Sequence, residues 1–227
     1  MPWNRRKLPP VHRAVIEALE TRLLLSIGLL TTDQDIGSPS RAGSASSSNG
    51  SYTVIAGGTG IGGLSDQFNF AYEAYSGNAT LVTQVSSLTN TSASAQAGLM
   101  IRNDTSAVSA FVGAFVTPTS GIELVTRTAD GGTAGQTTLA GTLAPEYLEL
   151  SLAGSTVTAY YSSDGVTWSQ LGSSQTITLG SSPLIGLAAA SAKSPVGSIT
   201  VTEVSLCKIS KSKFVLSAAP ISNRFMV

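Results

Sequence analysis

The 227-residue sequence predicts an all-β protein, an antiparallel sandwich or barrel, on three observations. Short runs rich in β-branched and aromatic residues recur through the middle of the chain, several alternating apolar and polar at strict period two. Clusters of Gly, Asn, Asp, Ser and Pro separate them at short intervals. No window between Gln34 and Leu206 shows the 3.6-residue period of a helix. About a dozen strands over ~170 residues favour one large sandwich over two small ones.

Taken in order, the predicted strands begin with Tyr52–Ala56 and continue with Asp66–Ala74, where Phe68, Phe70, Tyr72 and Ala74 alternate. Ala79–Leu88, Gln96–Asn103, Ser109–Thr117, Gly121–Thr128, Gln136–Ala140 and Glu146–Ala153 follow. In the last of these Leu148, Leu150 and Leu152 point inward, and Tyr147, Glu149 and Ser151 outward. Val108–Val116 is apolar on both faces and so predicts a central strand covered on each side. Ser155–Leu171 reads as a hairpin turning at Asp164-Gly165, with Tyr160, Tyr161 and Trp168 as its aromatic load. Gln175–Leu179, Leu184–Ser191 and Ser198–Leu206 complete the set.

The stretch Gly58-Thr-Gly60-Ile-Gly-Gly63 fits a dinucleotide-binding fingerprint, Gly-x-Gly-x-x-Gly after a strand. That motif needs a helix next, whose N-terminus holds the pyrophosphate, and an acid about twenty residues on. A period-two strand follows instead, so the segment reads as a glycine-rich β connection.

Charge is distributed unevenly. The chain as a whole is neutral, but Gln34–Leu206 holds four basic residues (Arg41, Arg102, Arg127, Lys193) against ten acidic ones, a net charge of six negative. A weakly charged acidic body excludes nucleic acid as a partner, since that needs a basic stripe to displace counterions. Cys207 is the single cysteine and His12 the single histidine, which excludes a disulfide framework within the chain, a Ser-His-Asp triad and a His-based zinc site.

Residues 1–33 differ from the rest. Arg5, Arg6, Lys7, His12 and Arg13 precede a helical-looking stretch, Ala14–Ser26, and an apolar run from Leu23 to Leu30. A basic start before a short apolar run is the pattern of a targeting segment, and its apolar run is far short of the ~20 residues that span a bilayer. An amphipathic helix docked on the body is the other reading. Asp33–Asn49, rich in Ser, Gly and Ala, reads as a linker or a loosely held leading strand. The expected organisation is a targeting segment with a short helix at 1–33, a sandwich at 34–207 and a basic tail at 208–227.

Two resemblances add to this reading. Leu19-Glu-Thr-Arg-Leu-Leu-Leu-Ser26 resembles the Leu-Glu-Pro-Arg-x-Leu-Leu element of large planctomycete-type bacterial surface and exported proteins, with Thr21 in place of proline. It implies export or placement at the cell surface. In the body, Gly50-Ser-Tyr-Thr-Val54, Asp66-Gln-Phe-Asn-Phe70, Ala97-Gly-Leu-Met-Ile-Arg102 and Tyr161-Ser-Ser-Asp-Gly-Val-Thr-Trp168 together resemble the concanavalin A-like lectin/glucanase sandwiches, in the branch related to "regulation of enolase" domains. That resemblance spans roughly residues 35–206 and implies a jelly roll of two antiparallel sheets. Gly62, Ser94 and Tyr147 stand at positions where the branch commonly carries aromatics, Tyr147 alone keeping one.

Chemistry is sparse. Glycoside hydrolysis needs two carboxylates about 5–10 Å apart across the scissile bond. The only closely spaced pair on a strand, Glu146 and Glu149, points to opposite faces, so no catalytic site is expected. Asp33 and Asp35 are the candidates for an oxygen-ligated Ca²⁺, against a plain solvated loop. The candidate ligand-binding residues are Gln96, Arg102, Glu123, Arg127, Tyr147 and Glu149, expected on a polar outer surface that contacts a glycan or a cell-envelope component; cross-strand ion pairs on a solvated sheet are the competing reading. The function expected is that of a non-catalytic exported module, carbohydrate-binding or adhesive. A purely structural surface module is the alternative, and a glycan-active enzyme a more distant one.

Overall fold

The computed structural model describes residues 30–48, 50–193 and, for the backbone, 199–210. The expected N-terminal helix and the basic tail past Ser210 lie outside the described residues. Those described form fifteen strands and no helix: β1 Thr32–Ile36, β2 Ser44–Ser48, β3 Ser51–Ala56, β4 Phe68–Ala74, β5 Ala79–Val85, β6 Gln96–Arg102, β7 Phe111–Val116, β8 Ile122–Arg127, β9 Gly135–Leu139, β10 Glu146–Ala153, β11 Thr156–Ser162, β12 Ser169–Gln170, β13 Gln175–Thr176, β14 Leu184–Ala190 and β15 Ile199–Ser210.

Every pairing is antiparallel, and the strands form two sheets. One has seven strands in the order β1-β4-β14-β6-β7-β8-β9. The other runs β12-β11-β10-β5-β15-β3-β2, with β13 beside β11. Period-two alternation sends one face of each sheet into a shared core. Leu99, Ile101, Val112, Ala114 and Leu187 from the first sheet meet Val54, Leu81, Leu148, Leu150 and Val157 from the second, all fully or almost fully buried. The chain is a two-layer antiparallel β-sandwich.

Asp33–Asn49, expected as a linker or loosely held strand, supplies an edge strand to each sheet. Asp35 holds this corner in place, its carboxylate accepting from Gly43 N at 2.9 and 3.0 Å and from Asn69 Nδ2 at 3.3 Å. Asp33 Oδ2 accepts from Ala45 N at 2.8 Å. The two acids weighed for Ca²⁺ thus bind the chain's own backbone, and the described residues contain no cluster of three or more His, Cys, Asp or Glu placed to hold a metal. No helix among the described residues is long and apolar enough to cross a membrane.

A second apolar cluster lies on the outer face of the seven-stranded sheet. Ile36, Phe68, Phe70, Met100, Phe111, Phe115 and Val125 form it, and Ile61 from the Gly-rich connection caps it. This explains why β7 is apolar on both faces: it is central in its sheet, with the inter-sheet core on one side and a loop-covered layer on the other. Glycine makes that cover feasible. Gly58, Gly60 and Gly62 have φ of 98°, 130° and 100°, and a Cβ on Gly58 would sit 2.0 Å from the Gln67 carbonyl oxygen.

Candidate functional site

Four of the six candidate residues come together on that covered face. In β6, Ala97, Leu99 and Ile101 enter the inter-sheet core, while Gln96, Met100 and Arg102 take the other side, as the alternation predicts. Cross-strand register sets Arg102 opposite Phe111 and Phe111 opposite Arg127, one row over three strands. Gln96 Nε2 donates to Glu123 Oε2 at 3.1 Å.

The outer face is not the solvated surface that was expected. Arg102 and Arg127 are both 0 % exposed, and Gln96 and Glu123 are buried as well. The cause is the connection from Gly57 to Gln67, which folds back over the sheet through paired Gly60–Gln67 hydrogen bonds at 2.9 and 3.3 Å. Its Ile61 N donates to Gln96 Oε1 at 3.0 Å, and its Asp66 N donates to the Ala107 carbonyl of the next loop at 2.9 Å.

Arg127 is the centre of this cover. Its guanidinium makes a two-pronged ion pair with Asp66, 2.7 Å to Oδ2 and 2.9 Å to Oδ1, both side chains fully buried. Its remaining donors reach the carbonyls of Gly63 at 2.7 Å, Ser109 at 3.0 Å and Gly132 at 3.1 Å. All five N–H groups are used, and one side chain ties three loops to β8. The guanidinium also stands 5.0 Å over the Phe111 ring. Cross-strand ion pairing, the competing sequence reading, is likewise replaced: the partner comes from a loop 61 residues away.

Arg102 is held differently. Its Nε donates to the Asp104 carbonyl at 2.6 Å, and Nη2 donates to the Ser106 carbonyl. Nη1 meets only the Met100 sulfur, at 3.6 Å, and the guanidinium stacks 5.1 Å over Phe68. Burial lowers its pKa to about 10, against the attraction of Asp66 and Asp104, so it stays charged at neutral pH. Burial likewise pushes the Glu123 carboxyl above the usual range, opposed by hydrogen bonds from Gln96 and Gln136. The cations of this face spend their donors on the protein's own loops.

Tyr147 and Glu149 do not join the other four. They lie on β10 of the eight-stranded sheet, on the opposite outer face of the sandwich. There they are half-buried, Tyr147 opposite Ser162 and Glu149 opposite Tyr160. Single-strand alternation told inside from outside but not which sheet a strand joins, which is why all six looked coplanar. Glu146, one step out of phase, faces the core; it is buried, its Oε1 has no hydrogen-bond partner, and burial raises its pKa. Glu146 and Glu149 do point to opposite faces.

The hairpin beside Tyr147 is wider than a two-residue turn. β11 pairs with β12 through Tyr160–Gln170 and Tyr161–Ser169, leaving a loop from Ser163 to Trp168. Asp164 organises it. Its Oδ1 accepts from Val166 N at 2.8 Å, Thr167 N at 2.7 Å and Ser162 Oγ at 2.8 Å. The backbone donors of Thr167 and Val166 hold this carboxyl well below the usual carboxylate range. Gly165 adopts φ 69° and passes so near the Tyr147 ring that a Cβ would lie 3.1 Å from it. Tyr161 packs against the core, whereas Tyr160 and Trp168 stay half-buried.

Concavities are shallow. One cleft of about 270 Å³ lies among Gly77, Asn78, Leu152, Leu179 and Pro183, and another of about 240 Å³ among Ser86, Leu88, Thr117, Pro118 and Leu143. Neither is lined by a candidate residue.

No family model matches the sequence, and no curated protein matches it. Solved structures do. A functionally unknown protein from Saccharomyces cerevisiae superposes with a TM-score of 0.64 at 16% identity, over 82% of this chain and 99% of that one. A mutant of the GH43 protein BlXynB from Bacillus licheniformis gives 0.51 at 16% identity over 72% of this chain, which spans only 33% of that protein's length. A lectin from Bauhinia forficata in complex with GalNAc gives 0.47 at 12% identity, over 82% of this chain and 96% of that one. At these identities the first two likenesses establish the sandwich fold and nothing finer.

Proposed function

We propose that the chain is a non-catalytic module of jelly-roll type, exported or displayed at the cell surface, that acts in adhesion by contacting carbohydrate or another cell-envelope component. The observation that carries this reading is the pair Tyr147 and Glu149, which keeps partial exposure on the outer face of the eight-stranded sheet while the four candidates on the other outer face are buried. The N-terminal likeness to exported surface proteins supports the location. The concanavalin A-like pattern of the body supports the ligand class. Against catalysis stands the placement of the acids: Glu123 and Glu146 are buried and flank no open cleft. The GH43 likeness adds little to an enzymatic reading, because this chain corresponds to a third of that protein.

A purely structural surface module is the second reading, favoured by the complete use of Arg127 in tying loops together. A glycan array probed with the full-length chain separates the two. Binding to at least one glycan, reduced in Tyr147→Ala, is expected; an empty array leaves the structural reading standing. Release of reducing sugar from any polysaccharide would contradict the non-catalytic assignment. Fractionation of the native cell tests export, and a purely cytosolic chain with residues 1–30 intact would count against it.

A further inference from the structure

A sheet edge offers backbone donors and acceptors that no neighbouring strand uses, and proteins guard such edges with charge, short strands or side-chain caps. Of the sheet ends among the described residues, three are guarded in one of these ways. β12 and β13, which share an end, are two residues long each. β1 carries Asp33 and Asp35. On β2 the Ala45 amide is taken, donating to Asp33 Oδ2 at 2.8 Å. β9 ends the seven-stranded sheet with none of these devices. Its five residues, Gly135-Gln-Thr-Thr-Leu139, hold no charge, no proline and no shift of register, and all but Leu139 are exposed. Alternate residues of an antiparallel edge turn both N–H and C=O away from the one neighbouring strand. Among the described residues β9 pairs with β8 alone. The side-chain bonds of Gln136, to Thr138 Oγ1 at 3.1 Å and to Glu123, stay on the outer face of the sheet and leave that edge uncapped.

We propose that β9 is a self-association edge, pairing antiparallel with β9 of a second copy about a two-fold axis through Thr137. The strand fits itself. Opposed residues must share a face, so the two-fold register sets Thr137 against Thr137, Gln136 against Thr138 and Gly135 against Leu139. Threonine pairs and amide–hydroxyl pairs are favourable across strands, and no row opposes like charges. The flanking connections agree. Residues 128–134 carry Asp130, and the same register sets them beside 140–145 of the second copy, which hold no charged residue. Two copies of a body with net charge of six negative thus meet along an uncharged strip. The contact also covers Leu143, 44 % exposed in the 140–145 connection. Seven strands from each copy make one continuous sheet, joined by about four to six new backbone hydrogen bonds. So short an edge is a small interface, and the dimer is weak and reversible. It does not depend on the carbohydrate reading. It sets both eight-stranded sheets on the same side of the joined one, so whatever their outer faces contact is contacted twice.

Sedimentation velocity of the full-length chain tests this, loaded at about 1 to 300 µM because a weak interface titrates in the micromolar range. The average mass should rise with concentration toward that of two chains and stop there, since a two-fold contact closes. Thr137→Lys sets two cations face to face on the axis and should weaken association at least about tenfold, as should Thr137→Glu. An equimolar mixture of Thr137→Lys and Thr137→Glu opposes unlike charges and should regain the dimer, a rescue that a merely misfolded variant would not show. Ser46→Lys, on the guarded β2 edge, should associate as the parent does. A parent that stays monomeric over the whole range overturns the proposal. So does a mass that climbs past two chains, a dimer that Thr137→Lys leaves intact or that Ser46→Lys abolishes, or a mixture that stays monomeric.

Discussion

The two outer faces of this sandwich are built from the same alternation and have opposite fates. On the seven-stranded sheet the polar outward residues of β6 and β8 are Gln96, Arg102, Glu123 and Arg127, beside the apolar Met100 and Val125, and they are the more highly charged set. They are buried, because the 57–67 and 103–110 connections fold over them and Arg127 ties both connections down. On the eight-stranded sheet the outward residues of β10 and β11 include two tyrosines, a glutamate and hydroxyls; Tyr147, Glu149 and Tyr160 keep partial exposure, and the described 163–168 loop lies against Tyr147 through Gly165. Charge on a strand is therefore a poor guide to exposure here. The guanidinium groups organise loops, and the less charged set is the one that keeps partial exposure.

Breaking the clasp should have the largest effect. Arg127→Ala leaves the buried Asp66 carboxyl without its ion-pair partner, at a cost of about 3–5 kcal/mol in urea unfolding. Asp66→Ala alone should cost a similar amount. The double change Asp66→Ala with Arg127→Ala should cost less than the sum of the two single changes, giving a coupling term in a double-mutant cycle. Gly58→Ala attacks the same cover from the backbone. At φ 98° and 2.0 Å from the Gln67 oxygen an added methyl cannot fit, so a loss of about 1–3 kcal/mol is expected, with increased hydrogen exchange over 57–67.

The pH dependence distinguishes buried from exposed carboxyls. Burial raises the folded-state pKa of Glu123 and Glu146, so the folded protein holds their protons longer than the unfolded chain does. Their contribution is fully present below the ordinary glutamate value of about 4.3 and is lost as pH rises through the higher folded values. Asp164 runs the other way: its depressed folded pKa adds stability as pH rises through the aspartate range near 3.9. Urea titrations of Glu123→Gln with Glu146→Gln should lose the decline above pH ~4.3 and keep the rise below it. The smallest stability effect is expected on the open face, where Tyr160→Ala should change unfolding free energy by no more than about 1 kcal/mol.

The amino-acid pattern made most of the sandwich legible. Strands β3 to β15 fall within or close to the predicted runs, since period-two alternation and Gly-, Asn- and Pro-bearing turns are local signals. β1 and β2 were legible only as a linker or one loosely held strand, because Ser44–Ser48 has no apolar alternation and the segment is fixed by hydrogen bonds from Gly43 and Ala45 to Asp35 and Asp33. The pairing of Asp66 with Arg127 had no local signal either. The glycines at 58, 60 and 62 were the nearest clue, since three of them in one connection permit backbone to lie flat on a sheet. The division of the six candidates between two sheets depends on strand order, which periodicity does not encode. The Asp164 turn was placed correctly, but its loop is wider because Asp164 caps the Val166 and Thr167 amides.

The contrast between the faces can be measured directly by hydrogen exchange of the full chain with and without a soluble oligosaccharide selected on the glycan array. Added protection should fall on β10, β11 and the 163–170 segment, with the 57–67 cover unchanged. Protection confined to 57–67 and 103–110, with β10 and β11 unaffected, would contradict the account, for it would place the ligand on the face assigned here to the Arg127 clasp.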